Sequence, residues 1–188
     1  MELFGSYTSP YVRHIRIVLV QTGLDHEFIE TDYQQSAEQS PACRVPFMRD
    51  GDLMLTDSLS ILRHLREKAG QTFFPDLLEF DRFLLANTAM DSTINLFLLE
   101  RDAVQPEQAP YLQRQQRRIR QCLQALDEVV NTQPPKLGGD FGIRLGCYLS
   151  WGLFRKRIEL DGYNALATFQ QRFEADPDIA ATHPARGG

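Results

Sequence analysis

The sequence predicts an α/β domain of βαβ-ββα order followed by an all-helical domain, and three observations carry that expectation. Up to Gly70, short runs rich in apolar and β-branched residues alternate with helical patterns. Between two of those runs stands Asp50-Gly51, a strong short-range hairpin signal. From Leu77 onward the apolar residues recur only at helical spacing.

Residues 2–6 read as a first strand. Residues 10–22 follow as a helix, with Val12, Ile15, Val18 and Leu19 at helical spacing, Pro10 at its first position, Ser9 as its N-cap and Gly23 as its stop. Residues 26–31 have the β-branched and aromatic content of a second strand, parallel to the first if the helix between them is a crossover. The polar stretch 32–44 predicts a short irregular helix and loop. Residues 45–49 and 52–56 form the hairpin around Asp50-Gly51. Asp57-Ser58 then opens an amphipathic helix carried by Leu59, Ile61, Leu62 and Leu65 and ended by Gly70. The first domain is expected over 1–72, with a linker at 73–76. Further helices are expected over 77–101, 111–130, 140–157 and 163–174, separated by the proline-bearing breaks 106–110 and 132–135. They make an all-helical domain over 77–182, and 183–188 is expected to be a mobile tail.

A formal net charge of −5 argues against nucleic acid or an anionic membrane as the main partner, since both need a basic field. No apolar run reaches the roughly 18 residues of a spanning helix, and residues 1–3 lack a leader's basic start, so a cytoplasmic protein is expected. Three cysteines, Cys43, Cys122 and Cys147, have neither disulfide-framework nor zinc spacing, and the four histidines are scattered. Metal chemistry is therefore not expected. The cluster Arg114, Arg117, Arg118 and Arg120 lies on the polar face of its helix and reads as a solvated face; Tyr148, Trp151 and Phe154 read as core.

The stretch from Ser6 to Arg13 brings a strand into a helix N-terminus. There the unpaired N–H groups and the positive end of the helix dipole favour an anion or a thiolate. The chemistry is placed there, although a serine that merely caps its helix leaves the same trace.

Three motifs in this order resemble the cytosolic glutathione S-transferase family, over nearly the whole chain. Residues 5–13, from Gly5 to Arg13, are similar to the opening of small bacterial members; Arg44-Val45-Pro46 is similar to their third-strand entry; and residues 55–61, from Leu55 to Ile61, match the start of their following helix. The resemblance implies a thioredoxin-like first domain, glutathione as co-substrate, and transfer of alkyl or aryl groups in detoxification. A homodimer is implied as well. Two alternatives are glutathione-dependent disulfide reduction and a non-catalytic regulator of the kind that docks on RNA polymerase.

The resemblance also implies the residue roles. Ser9 stabilises the glutathione thiolate. Val45, before a cis Pro46, pairs with the cysteinyl main chain. Asp57 and Ser58 hold the ligand's ammonium and carboxylate, and Arg44 meets its glycyl carboxylate. Tyr7 and Tyr11 are secondary candidates, Tyr7 because other classes use a tyrosine at the end of the first strand. Where relatives open a later helix with (S/T)-x-x-D, this chain has Gly142-Ile143-Arg144-Leu145, so Asp140 is the expected cap.

Overall fold

The structure, a computed structural model, describes residues 1–186. Contacts divide the chain into two compact units: Met1–Pro75 with the described residues from Asp176 onward, and Asp76–Ala175.

The first unit runs β1 (Glu2–Gly5), α1 (Pro10–Thr22), β2 (Glu27–Glu30), α2 (Tyr33–Gln39), β3 (Phe47–Asp50), β4 (Leu53–Leu55) and α3 (Ser58–Lys68). The strands form one mixed sheet in the order β2-β1-β3-β4, with β1 parallel to β2 and antiparallel to β3. This is the expected βαβ-ββα order. Leu3 and Met48 on the central strands, Val12, Ile15 and Val18 on α1, and Ile61, Leu62 and Leu65 on α3 are all buried. Burying each such side chain is worth roughly 1.5–3 kcal/mol over leaving it exposed. Phe4 and Phe47, register partners on β1 and β3, stack at 4.4 Å.

Local signals set the boundaries. Gly23 takes the left-handed conformation (φ 64°) and returns its N–H to the Leu19 carbonyl, closing α1. The hairpin centres one residue later than Asp50-Gly51: Asp50 still pairs with Leu53, so Gly51 and Asp52 form the loop, with Gly51 at φ 60° as a first-position glycine requires. The stretch 32–44 is more regular than expected, because Asp32 and Gln35 form a capping box that starts α2.

From Asp176 the chain adds α8 (Pro177–Ala180) to the first unit. Arg13, buried on α1, donates from Nε to Thr182 Oγ1 and from Nη2 to the Ile179 carbonyl, both at 3.0 Å. Within the stretch expected as a tail, Pro184–Arg186 form a 3-10 turn; Gly187 and Gly188 lie outside the described residues.

The second unit contains α4 (Leu77–Arg101), α5 (Pro110–Thr132), α6 (Asp140–Phe154) and α7 (Asn164–Ala175). Helix α6 is the core element, buried continuously from Phe141 to Gly152. Its Tyr148 hydroxyl meets Thr93 Oγ1 at 3.0 Å, and burial pushes that phenol's pKa up. Arg144, also buried, places its guanidinium 4.8 Å from the Phe83 ring centre. Helix α7 draws on another helix for its start: Asp127 of α5 accepts the Leu166 N–H at 2.9 Å.

Two expectations are corrected here. Gly139, not Asp140, occupies the N-cap of α6, and no side chain caps that helix; Asp140 is its first residue, a carboxylate at the positive end of the dipole. The cause is the tight turn before it, where Gly139 donates to the Lys136 carbonyl. Phe154 is not core: α6 ends there, the ring is 39% exposed, and Arg155 covers it at 5.1 Å. Tyr148 and Trp151 are buried, and Arg114, Arg117, Arg118 and Arg120 are exposed, as read from the sequence.

Candidate functional site

Antiparallel register gathers the predicted site at one end of the sheet. Phe4 lies opposite Phe47 and Met48 opposite Leu55, so the exit of β1, the entry to β3 and the exit of β4 share that end. Those are the strand ends from which Ser6–Ser9, Arg44–Pro46 and Asp57-Ser58 depart. In the sequence Arg44 follows Ser9 by 35 residues and Asp57 follows Pro46 by 11, and the sheet brings all three segments to one end.

Ser9 is the N-cap of α1, with extended backbone (φ −76°, ψ 126°) and Pro10 next to it. Its Oγ accepts from the Val12 N–H at 3.4 Å, a long bond. Accepting that bond leaves the hydroxyl proton free to be donated outward. The Val45-Pro46 peptide is cis, Pro46 is buried, and Val45 is half-buried. Asp57 caps α3 by accepting the Leu59 N–H at 2.8 Å, and Ser58 is the first residue of that helix and buried.

Arg44 and Asp57, separate ligand contacts in the sequence-based expectation, are joined in the structure: Arg44 Nη2 donates to Asp57 Oδ2 at 2.8 Å. Both side chains are about half exposed or more, 63% and 47%. An exposed pair of this kind is worth 0–1 kcal/mol, so a ligand can open it cheaply.

Tyr7 sits on the opposite side of β1, against the β2 edge. Its ring lies 4.7 Å from that of Phe28 on β2, and Arg16 of α1 lies 4.7 Å above it. Burial lowers the Arg16 pKa, Tyr7 opposes that, and Arg13 adds to it. No signal in the sequence marks this cluster, whereas the D-x-x-Q capping box of α2 was open to reading. Tyr11, on the first turn of α1, is half-buried.

At the far end of the hairpin, Asp50 accepts from His64 Nε2 at 2.8 Å and from Lys68 Nζ. The Lys68 hydrogen bond, then that of His64, hold the Asp50 carboxyl below its ordinary pKa. A carboxylate with a depressed folded pKa stabilises the fold above the unfolded value of about 4, and that stabilisation is lost as pH falls through the folded value. Asp50→Asn is therefore expected to flatten the loss of melting temperature between pH 5 and pH 3. An unchanged acid limb would show that these contacts carry no pH-linked stability.

The helical unit carries an open pocket of about 470 Å³ whose lining mixes apolar residues such as Phe97, Leu123 and Ile158 with charged ones such as Glu100, Arg120 and Lys156. None of the predicted site residues lines it. Among the described residues, no group of three or more His, Cys, Asp or Glu side chains comes together as a metal site, and no helix is long and apolar enough to cross a membrane.

Residues 3–73 match the family described as glutathione S-transferase, N-terminal domain. The first unit is therefore similar to a glutathione S-transferase N-terminal domain. Among solved structures, a glutathione S-transferase from Methylobacillus flagellatus with glutathione bound is 19% identical, with a TM-score of 0.83 over 97% of this chain and 98% of that one. A glutathione transferase family member from Pseudomonas fluorescens, with bound S-(propanoic acid)-glutathione, is 22% identical, with a TM-score of 0.82 over 98% of this chain and 99% of that one. At these identities the likeness establishes the glutathione S-transferase fold. Glutathione S-transferase 4 of Zea mays is 29% identical over 75 residues, 36% of this chain. The match spans 34% of that relative's length.

Proposed function

We propose that the protein is a glutathione transferase in which Ser9 stabilises the thiolate of bound glutathione. The observation that carries this is the position of Ser9: a helix N-cap whose hydroxyl proton is available, at the sheet end where Val45-Pro46 and Asp57-Ser58 also emerge.

Each role has a physical reason. A free thiol near pKa 8.5 is only a few per cent ionised at neutral pH, and every unit of depression is worth about 1.4 kcal/mol. The Ser9 O–H and the dipole of α1 favour the charged form. Val45 offers its main chain to the cysteinyl segment. Asp57 retains acceptor capacity beyond Leu59 and Arg44, because a carboxylate has about four lone-pair sites, and it receives the ligand's ammonium. Ser58 and the start of α3 take the adjacent carboxylate, and Arg44 swings from Asp57 to the glycyl carboxylate. The thiolate then attacks an electrophilic carbon, forming the C–S bond while the leaving group departs with its electron pair. Position 9 holds no sulfur, so the nucleophile comes from the ligand. A homodimer acting in the cytoplasm of a bacterium, in detoxification, completes the proposal.

Isothermal calorimetry tests it. Wild-type protein is expected to bind glutathione with a dissociation constant at or below the millimolar range, and Asp57→Asn to weaken binding about tenfold, in keeping with the worth of a charged hydrogen bond. No heat of binding at millimolar glutathione would refute the reading.

A further inference from the structure

The Ser9 carbonyl accepts the Arg13 N–H at 2.9 Å, but side-chain bracing of the Ser6–Ser9 loop is weaker. Ser6 Oγ meets Thr8 Oγ1 at 3.2 Å and accepts the Thr8 N–H at 3.4 Å, and the Ser6 carbonyl accepts the Ser9 N–H at 3.0 Å. Two of the loop's bonds, Thr8 to Ser6 and Val12 to Ser9, lie at 3.4 Å, beyond the usual range. Ser9 must nevertheless aim its hydroxyl within a fraction of an ångström to matter chemically.

The loop's one large side chain is held from outside it. Tyr7 and Phe28 meet at 4.7 Å with ring planes tilted by 53°, a favourable aromatic geometry. The Arg16 guanidinium lies 4.7 Å from the Tyr7 ring centre and 5.5 Å from that of Phe28, within cation–π range of both. One ring of the loop is thus tied to β2 and to α1 together, two residues before Ser9. Since β2 flanks β1 on the side away from β3, the tie also keeps Tyr7 off the edge where Pro46 enters.

We propose that Tyr7, clamped by Arg16 and Phe28, is a positioning residue that fixes the Ser6–Ser9 loop so that the Ser9 hydroxyl faces the glutathione sulfur. This rests on the reading of Ser9 given above. The ring of Tyr7 performs the task, and its hydroxyl takes no part in the reaction.

The test compares Tyr7→Phe, Tyr7→Ala, Phe28→Ala and the double variant Tyr7→Ala/Phe28→Ala, with two readouts. The first is the pH titration of the bound thiol by ultraviolet thiolate absorbance, together with kcat and KM for glutathione against an aryl halide. Tyr7→Phe is expected to restore what Tyr7→Ala loses. Tyr7→Ala and Phe28→Ala are each expected to raise the midpoint and lower kcat roughly ten- to a hundredfold, with KM little changed, and the double variant is expected to be no worse than either single one. A Tyr7→Phe variant as impaired as Ser9→Ala makes the phenol the donor and overturns the clamp; so does a Tyr7→Ala variant with wild-type midpoint and kcat.

The second readout needs no ligand. Amide hydrogen exchange at Ser9 and Val12 in the free protein is expected to quicken about tenfold in Tyr7→Ala with global stability unchanged, and unchanged exchange overturns the clamp. If the wild-type protein binds no glutathione while Tyr7→Ala still shows the quickened exchange, the proposed function is refuted; the clamp's role toward glutathione falls with it, and only its bracing of the loop stands.

Discussion

Gly142→Ala is expected to lower stability by about 3 kcal/mol and the melting temperature by roughly 10 °C, although alanine is the better helix former. A Cβ at residue 142 would lie 2.1 Å from the Lys136 carbonyl oxygen and 3.0 Å from its carbon. Both are main-chain atoms, and that carbonyl already holds the turn to Gly139. Neither can rotate aside, so α6, buried along its length, would have to move. Gly146 and Gly152 face comparable clashes at 2.5 and 2.6 Å, but with the Phe173 ring and the Ile158 side chain. Side chains yield more easily than backbone, so alanine should cost most at Gly142, less at Gly146 and least at Gly152. Thermal denaturation of the three variants checks this order. An alanine at 142 that raised the melting temperature, as propensity alone predicts, would remove the contact from the account.

Ser9→Ala is expected to reduce kcat/KM for glutathione transfer ten- to a hundredfold at neutral pH. A hydrogen bond to a charged acceptor is worth about 1.5–3 kcal/mol, and each 1.4 kcal/mol is a factor of ten. The same change removes an N-cap, which costs about 1 kcal/mol of stability. Ser9→Gly separates the two effects, because glycine serves as an N-cap at a cost of only a few tenths of a kcal/mol yet has no hydroxyl. Activity lost equally in both variants, with stability lost mainly in the alanine form, assigns the hydroxyl to chemistry. Activity that recovers in Ser9→Gly would leave Ser9 as a cap alone.

The parts of the fold that could be read from the sequence were those fixed by local chemistry. Pro10 behind Ser9 set the start of α1, Gly23 its end, and the glycine of Asp50-Gly51 the hairpin. The candidate site is legible in the sequence as three segments but not as an arrangement. The Arg44–Asp57 bond joins residues that only the β3-β4 hairpin brings together. Nothing periodic signals that Arg13 bonds Ile179 and Thr182, 166 and 169 residues away. The α6 start departs from the expected Asp140 cap because the turn at Lys136 puts a glycine at the cap. Phe154 departs from the expected core because helical spacing names a face but not where the helix ends.

The glutathione thiol titrated on the protein tests the central claim most directly. Bound to wild type, its midpoint should fall about two units below that of free glutathione, and in Ser9→Ala it should return one to two units toward the free value. A midpoint that is the same with and without the serine hydroxyl would contradict the account.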